Sequence, residues 1–590
     1  MPEVPQVCRF IFVSDRAARE QSLAWACCAL VVAAWAGGCS PAKYKARADA
    51  EVYGIIDKKW RDGFGEKVNY RISDVPPSPN DVQVEPGVPS RVLSLPQAVA
   101  LATARNRDYQ RQKELLYLTA LDLTLVRHQF ARRWFGTVDA RYVSEGDTDS
   151  LSSEGTAGFN QLLASGATVS TAIALDWVRF LTGDSGTSLG SILSVNITQP
   201  LLRGGGRRIA QEGLTQAERN TLYQIRSFNR FRETFVVSIV NDYYRVLQLR
   251  DIVTNARNDY NSRVQSKERL EMEAAAGRRP SFEVDQAVQD VLRAQNNVVA
   301  AEERYAQALD GFKIRLALPT DAKAEVDPNE LEALRKMEVM EPDYTLDAAV
   351  ETALSRRLDL ANSTDVVEDA ARKVLVAQNG LGADLDLVAG AAAGSGARTD
   401  FTRVDFGEGR YTVGVEGALP LDRKGERNVY RQSLIALEQQ RREHENDVDT
   451  VKLEVREAYR QLEREAESYR IQKNSLTLAN KRVESTSLLL QAGRVTTRDL
   501  LESQDALLQA QNDLTAALVA HTIAKLNFFR DIGLLRVQPD GMWEPPADQP
   551  RAAARAESHP QGASPQDPAT DEQANFRDFL GKPERFWESL

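Results

Sequence analysis

The chain has 590 residues, of which 42% are hydrophobic and 27% are charged, so it is long enough to bury a sizeable core or to form several domains. Its 84 acidic residues outnumber its 74 basic ones, and the formal net charge of −10 disfavours broad nucleic-acid binding. Cysteine does not occur after Cys39, which excludes a disulfide framework and cysteine-ligated metal sites from the rest of the chain.

The first predicted element is an export signal. An apolar stretch runs from Leu23 to Gly38 and is shorter than the roughly 20 residues that a membrane-spanning helix needs. It ends in small residues directly before Cys39, a pattern typical of a secretory signal followed by a cysteine that accepts lipid. We therefore predict that residues 1–38 are a signal peptide and that Cys39 is lipidated. A plain cleaved signal, or a start codon assigned too early, would also explain this pattern.

Proline-rich sequence lies on both sides of the main body. The first such segment has prolines at Pro76, Pro77, Pro79, Pro86 and Pro89. These prolines favour an extended chain, so residues 39–90 are predicted to be a lipid-anchored N-terminal linker. The second segment, residues 537–590, is predicted to be a largely disordered tail.

Helix-compatible stretches of unusual length dominate the main body. Leu214–Ala276 and Glu426–Ala492 contain no glycine or proline, and each leads through a glycine into a second helical run, Phe282–Leu318 or Arg494–Ile532. In the later stretch, apolar residues recur at every third or fourth position, which predicts a coiled-coil seam. The seam residues are Val448, Val451, Val455, Ala458, Leu462, Ala466 and Tyr469. In the earlier stretch, Val236, Val240, Tyr243 and Leu247 follow the same spacing. We predict two long helical hairpins.

Strands are predicted ahead of each hairpin. Thr137–Val143 and Ile192–Thr198 precede the first hairpin, and Ala383–Ala391 and Tyr411–Leu419 precede the second. In the last of these, apolar residues alternate with small or polar ones, so that one face could meet lipid and the other water. A further stretch, Thr168–Trp177, is either another strand or a surface loop.

The two halves of the body are copies of one unit. Residues of the first hairpin match residues of the second at a constant offset, in a run that chance makes improbable. The matches pair Tyr243, Gly277, Arg278, Leu292, Ala294, Gln295 and Asn296 with Tyr459, Gly493, Arg494, Leu508, Ala510, Gln511 and Asn512. We divide the body into a first repeat at residues 91–320, a linker at 321–343 and a second repeat at 344–536. The first repeat is the longer one between its opening helix and its Pro-Leu anchor.

Occurring in this order and twice, these features resemble the TolC-type outer-membrane efflux factors, in their lipoprotein subtype. The resemblance covers about Leu95–Leu535. It is carried by the Leu-x2-Ala opening of each repeat, by Gln199-Pro200-Leu201-Leu202 with Gly204-Gly205-Gly206, and by Ala492-Gly493-Arg494. It implies a mainly helical fold with strands, in which duplicated coiled-coil hairpins form a periplasmic α-barrel. It also implies a homotrimer in which each chain gives four strands to a 12-stranded transmembrane β-barrel. Edge amides would be unpaired in lipid, so hydrogen bonding independently requires closure between chains.

The resemblance also implies functional sites. The turns of the two hairpins would be periplasmic tips at which an adaptor protein docks, although a purely structural turn is the alternative. The tip residues are Ala276, Gly277, Arg278, Ala492, Gly493 and Arg494. Asp499 and Glu502 lie three residues apart on one helical face, and three chains would bring six carboxylates together as an acidic gate that attracts cations. As ordinary surface carboxylates, these two residues would have no such role.

The predicted function follows from this resemblance. It is a passive outer-membrane exit duct with a long periplasmic extension, and its partners are a periplasmic membrane-fusion adaptor, an inner-membrane transporter and outer-membrane lipid. A duct for type I protein secretion and a periplasmic coiled-coil scaffold without a pore are the alternatives. No phosphate-binding GxxxxGK[ST] loop and no catalytic constellation occurs, so no enzyme, cofactor, metal site or nucleic-acid partner is predicted. The glycine triplet at 204–206 is expected to be a flexible corner between strand and helix.

Overall fold

The chain is mainly helical and contains one large sheet. The computed structural model describes residues 40–64, 70–72, 91–145, 148–180, 187–336, 344–395, 404–538 and 543–544. The helices are α1 Pro41–Phe64, α2 Leu95–Arg105, α3 Arg107–Phe130, α4 Arg207–Ala210, α5 Glu212–Ala275, α6 Ser281–Arg315, α7 Asn329–Lys336, α8 Leu346–Arg356, α9 Leu358–Asn379, α10 Lys424–Gln491 and α11 Thr497–Asp531. The strands are β1 Arg91–Leu93, β2 Arg133–Glu145, β3 Thr148–Leu162, β4 Thr168–Phe180, β5 Thr187–Pro200, β6 Ala324–Val326, β7 Asp384–Gly394, β8 Arg410–Ala418, β9 Arg536–Val537 and β10 Trp543–Glu544. All of these elements lie in one unit, Met1–Glu341 with Leu346–Pro546.

Two long helical hairpins form most of the structure, as the duplication predicts. Helix α5 has 64 residues and α10 has 68, so each extends about 100 Å at 1.5 Å per residue. Helices α6 and α11, with 35 residues each, fold back against them. The predicted seam is confirmed where Val451, Val455, Ala458, Leu462 and Ala466 are buried along one face of α10. Its counterpart in α5 is confirmed by the burial of Val236, Val240, Tyr243 and Leu247.

The largest core lies where the helices of the first repeat meet a short parallel ladder between β1 and β6. Tyr243 of α5 is fully buried there, and its hydroxyl donates a hydrogen bond to the carbonyl oxygen of Leu93 at 3.0 Å. Leu331 and Leu334 of α7 are buried in the same core. The described part of the segment between the repeats, residues 321–336, is therefore folded against the first repeat.

The segment that follows the predicted lipid site is not the extended linker that its prolines suggest. It begins with α1, which packs against α3 and α5 and buries Trp60 completely. The ring of Trp60 lies 5.2 Å from the ring of Tyr70. The prolines that favour an extended chain all lie at 76–89, outside the described residues, whereas Pro41 occupies the first turn of α1, where helices tolerate proline. The prediction of an extended chain is wrong over 41–64.

The prediction of four strands per chain needs a correction to six. One antiparallel sheet has the order β2-β3-β4-β5-β7-β8. The four predicted strands are present, but β3 and β4 lie between β2 and β5, so the first repeat supplies four strands and the second supplies two. Thr168–Trp177 lies within β4 and is a strand rather than a surface loop. The reason is the extra length of the first repeat, which forms a hairpin that continues the sheet.

Helices α6 and α11 end in equivalent turns that hold different residues. Ala317 has a φ of +56°, and Gly533 has a φ of +72° in the equivalent turn. Because the left-handed conformation costs a residue with a side chain about 1 kcal/mol, we expect Ala317→Gly to raise the free energy of unfolding by about that amount. Gly533→Ala should lower it, since the added Cβ would also lie 3.2 Å from the carbonyl carbon of Arg356. Thermal unfolding followed by circular dichroism checks both variants, and shifts of the same sign would contradict this account.

Candidate functional site in the sheet and at the hairpin tips

The register of the sheet gathers apolar side chains on one face. Trp134 on β2 lies opposite Phe159 on β3, with ring centroids 5.1 Å apart. Farther along the sheet, Ile173 on β4 lies opposite Leu193 on β5, which in turn lies opposite Ala393 on β7. We call this the apolar face, and its largest side chains include Trp134, Tyr142, Phe159, Ile173, Trp177, Leu193, Ile197, Leu387, Val413 and Val415. Many of them are exposed, Val413 to 82%.

The opposite face of the sheet, which we call the polar face, carries mostly small, hydroxyl or charged side chains. Asp139, Glu154 and Asp176 lie opposite one another across β2, β3 and β4. Like charges at opposed positions destabilise a sheet, and their repulsion is smallest where water separates them. Other members of this face include Thr137, Arg141, Ser152, Thr156, Ser170, Ala172, Ala174, Ser194, Asn196, Thr198, Asp386, Thr412 and Glu416, and its apolar minority includes Phe135, Val143, Ile192 and Val388. This face is suited to water.

Strands β2 and β8 are the edges of the sheet, and within the described ranges neither has a second partner strand. Almost all of their residues are exposed, whereas those of the inner strands are mostly half-buried. In a meander of six antiparallel strands the first and the last run in opposite directions. Strand β8 of one copy therefore has the direction needed to pair in antiparallel fashion with β2 of another copy.

The glycine triplet after β5 forms a corner between the sheet and the long helix. The backbone N–H of Gly204 donates to Oδ1 of Asn379 at 2.8 Å, and that of Gly206 donates to the carbonyl oxygen of Ser165 at 3.0 Å. Ser165 lies in the turn between β3 and β4, where a Cβ on Gly166 would lie only 2.8 Å from the carbonyl oxygen of Gly204. These amides bond within the chain, as expected for a structural corner.

The two hairpin turns share one backbone structure. Gly277 has a φ of +71° and Gly493 has a φ of +66°. In each turn, the N–H of the following arginine, Arg278 or Arg494, donates to a carbonyl oxygen of the preceding helix at 2.9 Å, which closes the helix end. The predicted tip residues are all exposed, namely Ala276, Gly277, Arg278, Ala492, Gly493 and Arg494. The turns therefore present these residues at the ends of both hairpins.

Polar contacts tie the two turns together. Arg279 donates to the carbonyl oxygen of Leu490 at 2.9 Å and forms ion pairs with Glu273 and Glu283 at 3.3 and 3.4 Å. The hydroxyl of Thr497 donates to Oε2 of Glu283 at 2.6 Å. Sequence reasoning did not single out these contact residues, and the only signal for them is a set of polar side chains close to each turn glycine. The turns of the two repeats thus form one surface.

The acidic pair predicted as a gate has partners in its own chain. Oδ2 of Asp499 accepts hydrogen bonds from the hydroxyl and the backbone N–H of Thr496 at 2.7 and 2.8 Å. The Thr496 hydroxyl accepts one from the backbone N–H of Asp499 at 3.4 Å, which completes a capping box at the start of α11. These bonds from Thr496 hold the pKa of Asp499 below its usual range. Oε1 of Glu502 accepts a hydrogen bond from Arg482 of α10 at 2.8 Å. Both carboxylates are exposed, and their role in a gate stays a prediction.

Burial keeps one histidine of α11 neutral. His521 is 4% exposed, and burial, together with Lys525, lowers its pKa to about 4 against an opposing contribution from Glu465. Because the unfolded chain has a histidine pKa of about 6.5, it binds more protons than the folded chain between these values, and stability falls as the pH falls through them. Between pH 7 and pH 4, we expect the stability of the His521→Leu variant to fall by about 3 kcal/mol less than that of the wild type. Chemical unfolding at both pH values tests this, and equal acid sensitivity would contradict it.

Some predicted features lie outside the described residues, namely Cys39 and almost all of the tail at 537–590. Across the described ranges, no helix combines the length and the apolar character required to cross a membrane. In the same part of the chain, no group of three or more His, Cys, Asp or Glu side chains is placed to hold a metal ion.

Comparisons with known proteins agree with this geometry. The model of the outer membrane efflux protein family matches residues 349–533, most of the second repeat. The predicted resemblance to outer-membrane efflux factors is confirmed, and the lipoprotein subtype stays a prediction. A comparison with curated protein sequences gives no match.

Solved outer-membrane proteins, among them two channels, have a similar backbone. VceC from Vibrio cholerae is 14% identical with a TM-score of 0.54, over 74% of this chain and 96% of that one. CmeC from Campylobacter jejuni is 15% identical with a TM-score of 0.54, over 74% of this chain and 85% of that one. MtrE from Neisseria gonorrhoeae is 12% identical with a TM-score of 0.53, over 75% and 89%. At these identities the likeness establishes the fold alone. The efflux family match agrees with the prediction of a channel component rather than an enzyme.

Proposed function

We propose that this chain forms the outer-membrane exit duct of a multi-component efflux system and conducts substrates passively to the exterior. The observation that carries the proposal is the two-faced sheet with open edges, which is continuous with helical hairpins about 100 Å long. The sheet would lie in the outer membrane, and the hairpins would extend into the periplasm.

Lipid and water on opposite sides account for the two faces of the sheet. The apolar face would meet hydrocarbon, and the polar face would line a water-filled lumen. A six-stranded sheet with free edges leaves backbone amides unpaired in lipid, at a cost of several kcal/mol for each group. Pairing of β8 with β2 of the next copy removes both edges and closes a barrel. The number of copies, three, rests on the resemblance to TolC-type channels.

The hairpin tips are the proposed docking site for a periplasmic adaptor, which would connect the duct to an inner-membrane transporter that supplies the energy. Three large apolar side chains flank the tip residues and are well exposed, with Met272 at 68%, Phe282 at 65% and Leu488 at 60%. Arg278 and Arg494 add positive charge to the same surface. An adaptor hairpin with apolar and acidic side chains would complement this surface.

The sheet also helps to decide between the duct and the alternative functions. A periplasmic scaffold without a pore has no use for a broad apolar sheet face, so the sheet favours the duct. A duct for type I protein secretion has the same fold and differs only in its cargo. Purified full-length protein in planar bilayers is expected to be trimeric and to show stable conductance. A monomer without conductance across a range of voltages and pH would support the scaffold instead.

Lipid anchoring is a separate prediction. Cys39 is expected to be the first residue of the mature chain, because small residues precede it at the end of the apolar stretch. Intact-mass measurement of membrane-extracted protein should show the loss of residues 1–38 and an added lipid mass, and a Cys39→Ser variant should lack that mass. A mature N-terminus that carries no lipid and begins at another residue would refute the lipid anchor. It would not contradict the duct, since the barrel alone can hold the chain in the membrane.

A further inference from the structure

The hairpin of β3 and β4 belongs to the first repeat alone. Strands β2 and β7 both follow the opening helices of their repeats, and β5 and β8 both lead into the long helices, so the second repeat passes directly from β7 to β8. We propose that this inserted hairpin is a permanent part of the barrel wall, so that a ring of three copies closes with eighteen strands and has a wider exit than a twelve-stranded barrel. This inference rests on the proposed function and specifies the cargo size that the duct admits.

The inserted hairpin is paired on both sides along almost its full length. The ladder between β2 and β3 runs from Arg133 opposite Asn160 to Glu145 opposite Thr148. The ladder between β4 and β5 is similarly long. The apolar face continues through the hairpin, as Ala157 of β3 lies opposite Ile173 of β4. A hairpin folded away from the sheet would lose both ladders and interrupt this face.

The turn of the inserted hairpin is fixed to the corner below the sheet. Ser165 of the turn accepts a hydrogen bond from the Gly206 amide at 3.0 Å, and its hydroxyl bonds to Oε1 of Gln199 at 2.8 Å. In the second repeat, Lys424 and Glu426 stand where the first repeat has Gly204 and Gly206. Gly204 and Gly206 have φ angles of +77° and +91°, which favour glycine, so the backbone of this corner is available only in the repeat that has the hairpin.

The interior of the widened barrel would be open. Barrel diameter grows roughly in proportion to strand number, so eighteen strands give a barrel about 1.5 times as wide as twelve, and barrels of this size enclose an aqueous channel. The polar face of the hairpin carries small side chains that do not fill such a space, among them Ser152, Thr156, Ser170, Ala172 and Ala174. The exit is thus suited to bulky solutes.

Disulfide pairs test the strand order in the membrane-embedded full-length chain. The chain has no cysteine after Cys39, so introduced pairs are unambiguous. Ala140→Cys with Ser153→Cys joins β2 to β3 and should oxidise readily, because directly opposite residues are within disulfide reach. Ala140→Cys with Ser191→Cys is the matched control. Ala140 is equivalent to Ala391 of the second repeat, and Ser191 is equivalent to Tyr411. Ala391 and Tyr411 lie opposite each other because β7 pairs directly with β8, so Ala140 and Ser191 would lie opposite each other only if β2 paired directly with β5.

Polymer exclusion tests the width. Deleting residues 146–186 removes the hairpin and joins β2 to β5, and the radius of neutral polyethylene glycol admitted from the exterior side should fall by about a third. An unchanged radius in an assembled deletion variant would overturn the inference, as would oxidation of the Ser191 pair instead of the Ser153 pair. If the deletion variant does not assemble, oxidation of the two cysteine pairs in the full-length chain is sufficient to test the strand order. A trimeric conducting channel in which the Ala140→Cys and Ser191→Cys pair oxidises would refute the widened barrel but not the duct. Full-length protein that gives no conductance would refute the duct itself.

Discussion

An arginine in place of Ile173 is expected to prevent insertion of the protein into the outer membrane. Ile173 lies in the middle of β4 on the apolar face and is 49% exposed. An arginine that faces lipid near the membrane midplane costs a barrel about 2–4 kcal/mol, and a trimer would carry this cost three times. Because each 1.4 kcal/mol corresponds to about a tenfold change in an equilibrium, we expect more than about tenfold less trimer in outer-membrane fractions.

The next residue supplies the matched control. Ala174 lies on the same strand but on the polar face, so Ala174→Arg introduces the same charge on the opposite side of the sheet. This variant is expected to assemble like the wild type and to shift ion selectivity towards anions, because the added charge would line the lumen. Trimer yield from membrane fractions and reversal potentials in salt gradients measure the two effects. Equal insertion of both variants would mean that the two faces of the sheet are assigned incorrectly.

The long helices could be predicted from the sequence because each of their signals is local. Freedom from glycine and proline, a turn glycine and apolar spacing of three or four residues all act within one stretch, and the bounds of α5 and α10 agree closely with the predicted ones. Helix α1 could not be predicted in the same way, because the prolines that follow it in the sequence suggest an extended segment. Its stability comes from burial of Trp60 against other helices, which no local pattern reveals.

The inserted hairpin could be predicted only in part, because strand formation depends on partners distant in sequence. Strand β4 alternates clearly, and this pattern allows a strand at Thr168–Trp177. Strand β3 contains Gly155 and Gly158 and is rich in serine and threonine, a composition typical of loops. Its apolar face becomes evident only when the register places Phe159 beside Trp134. The capping contacts of Asp499 do have a local signal, because Thr496 and Asp499 form the [ST]-x-x-[DE] pattern of a capping box at a helix start.

Removing the carboxylates of Asp499 and Glu502 together is expected to weaken block of the channel by multivalent cations, if three copies bring these residues to one axis. Two unit charges 4 Å apart in water interact by about 1 kcal/mol. Loss of two carboxylates from each of three chains should therefore weaken block by more than about tenfold. Recordings from Asp499→Ala with Glu502→Ala, with divalent or trivalent cations added from the side of the hairpin tips, measure the change.

The contacts of these residues within their own chain determine the controls. Thr496→Ala removes the capping partner of Asp499 but keeps the carboxylate, and it should cost about 1 kcal/mol of stability without weakening the block. Arg482→Gln releases Glu502 from its hydrogen bond and should strengthen the block, because an unpaired carboxylate attracts cations more strongly. If helix capping and the contact with Arg482 are the only roles of the pair, the double variant will resemble Thr496→Ala in stability and leave both block and ion selectivity unchanged. That result would show that neither residue belongs to the proposed gate. If the double variant weakens the block and Thr496→Ala does not, the carboxylates act in the gate independently of helix capping.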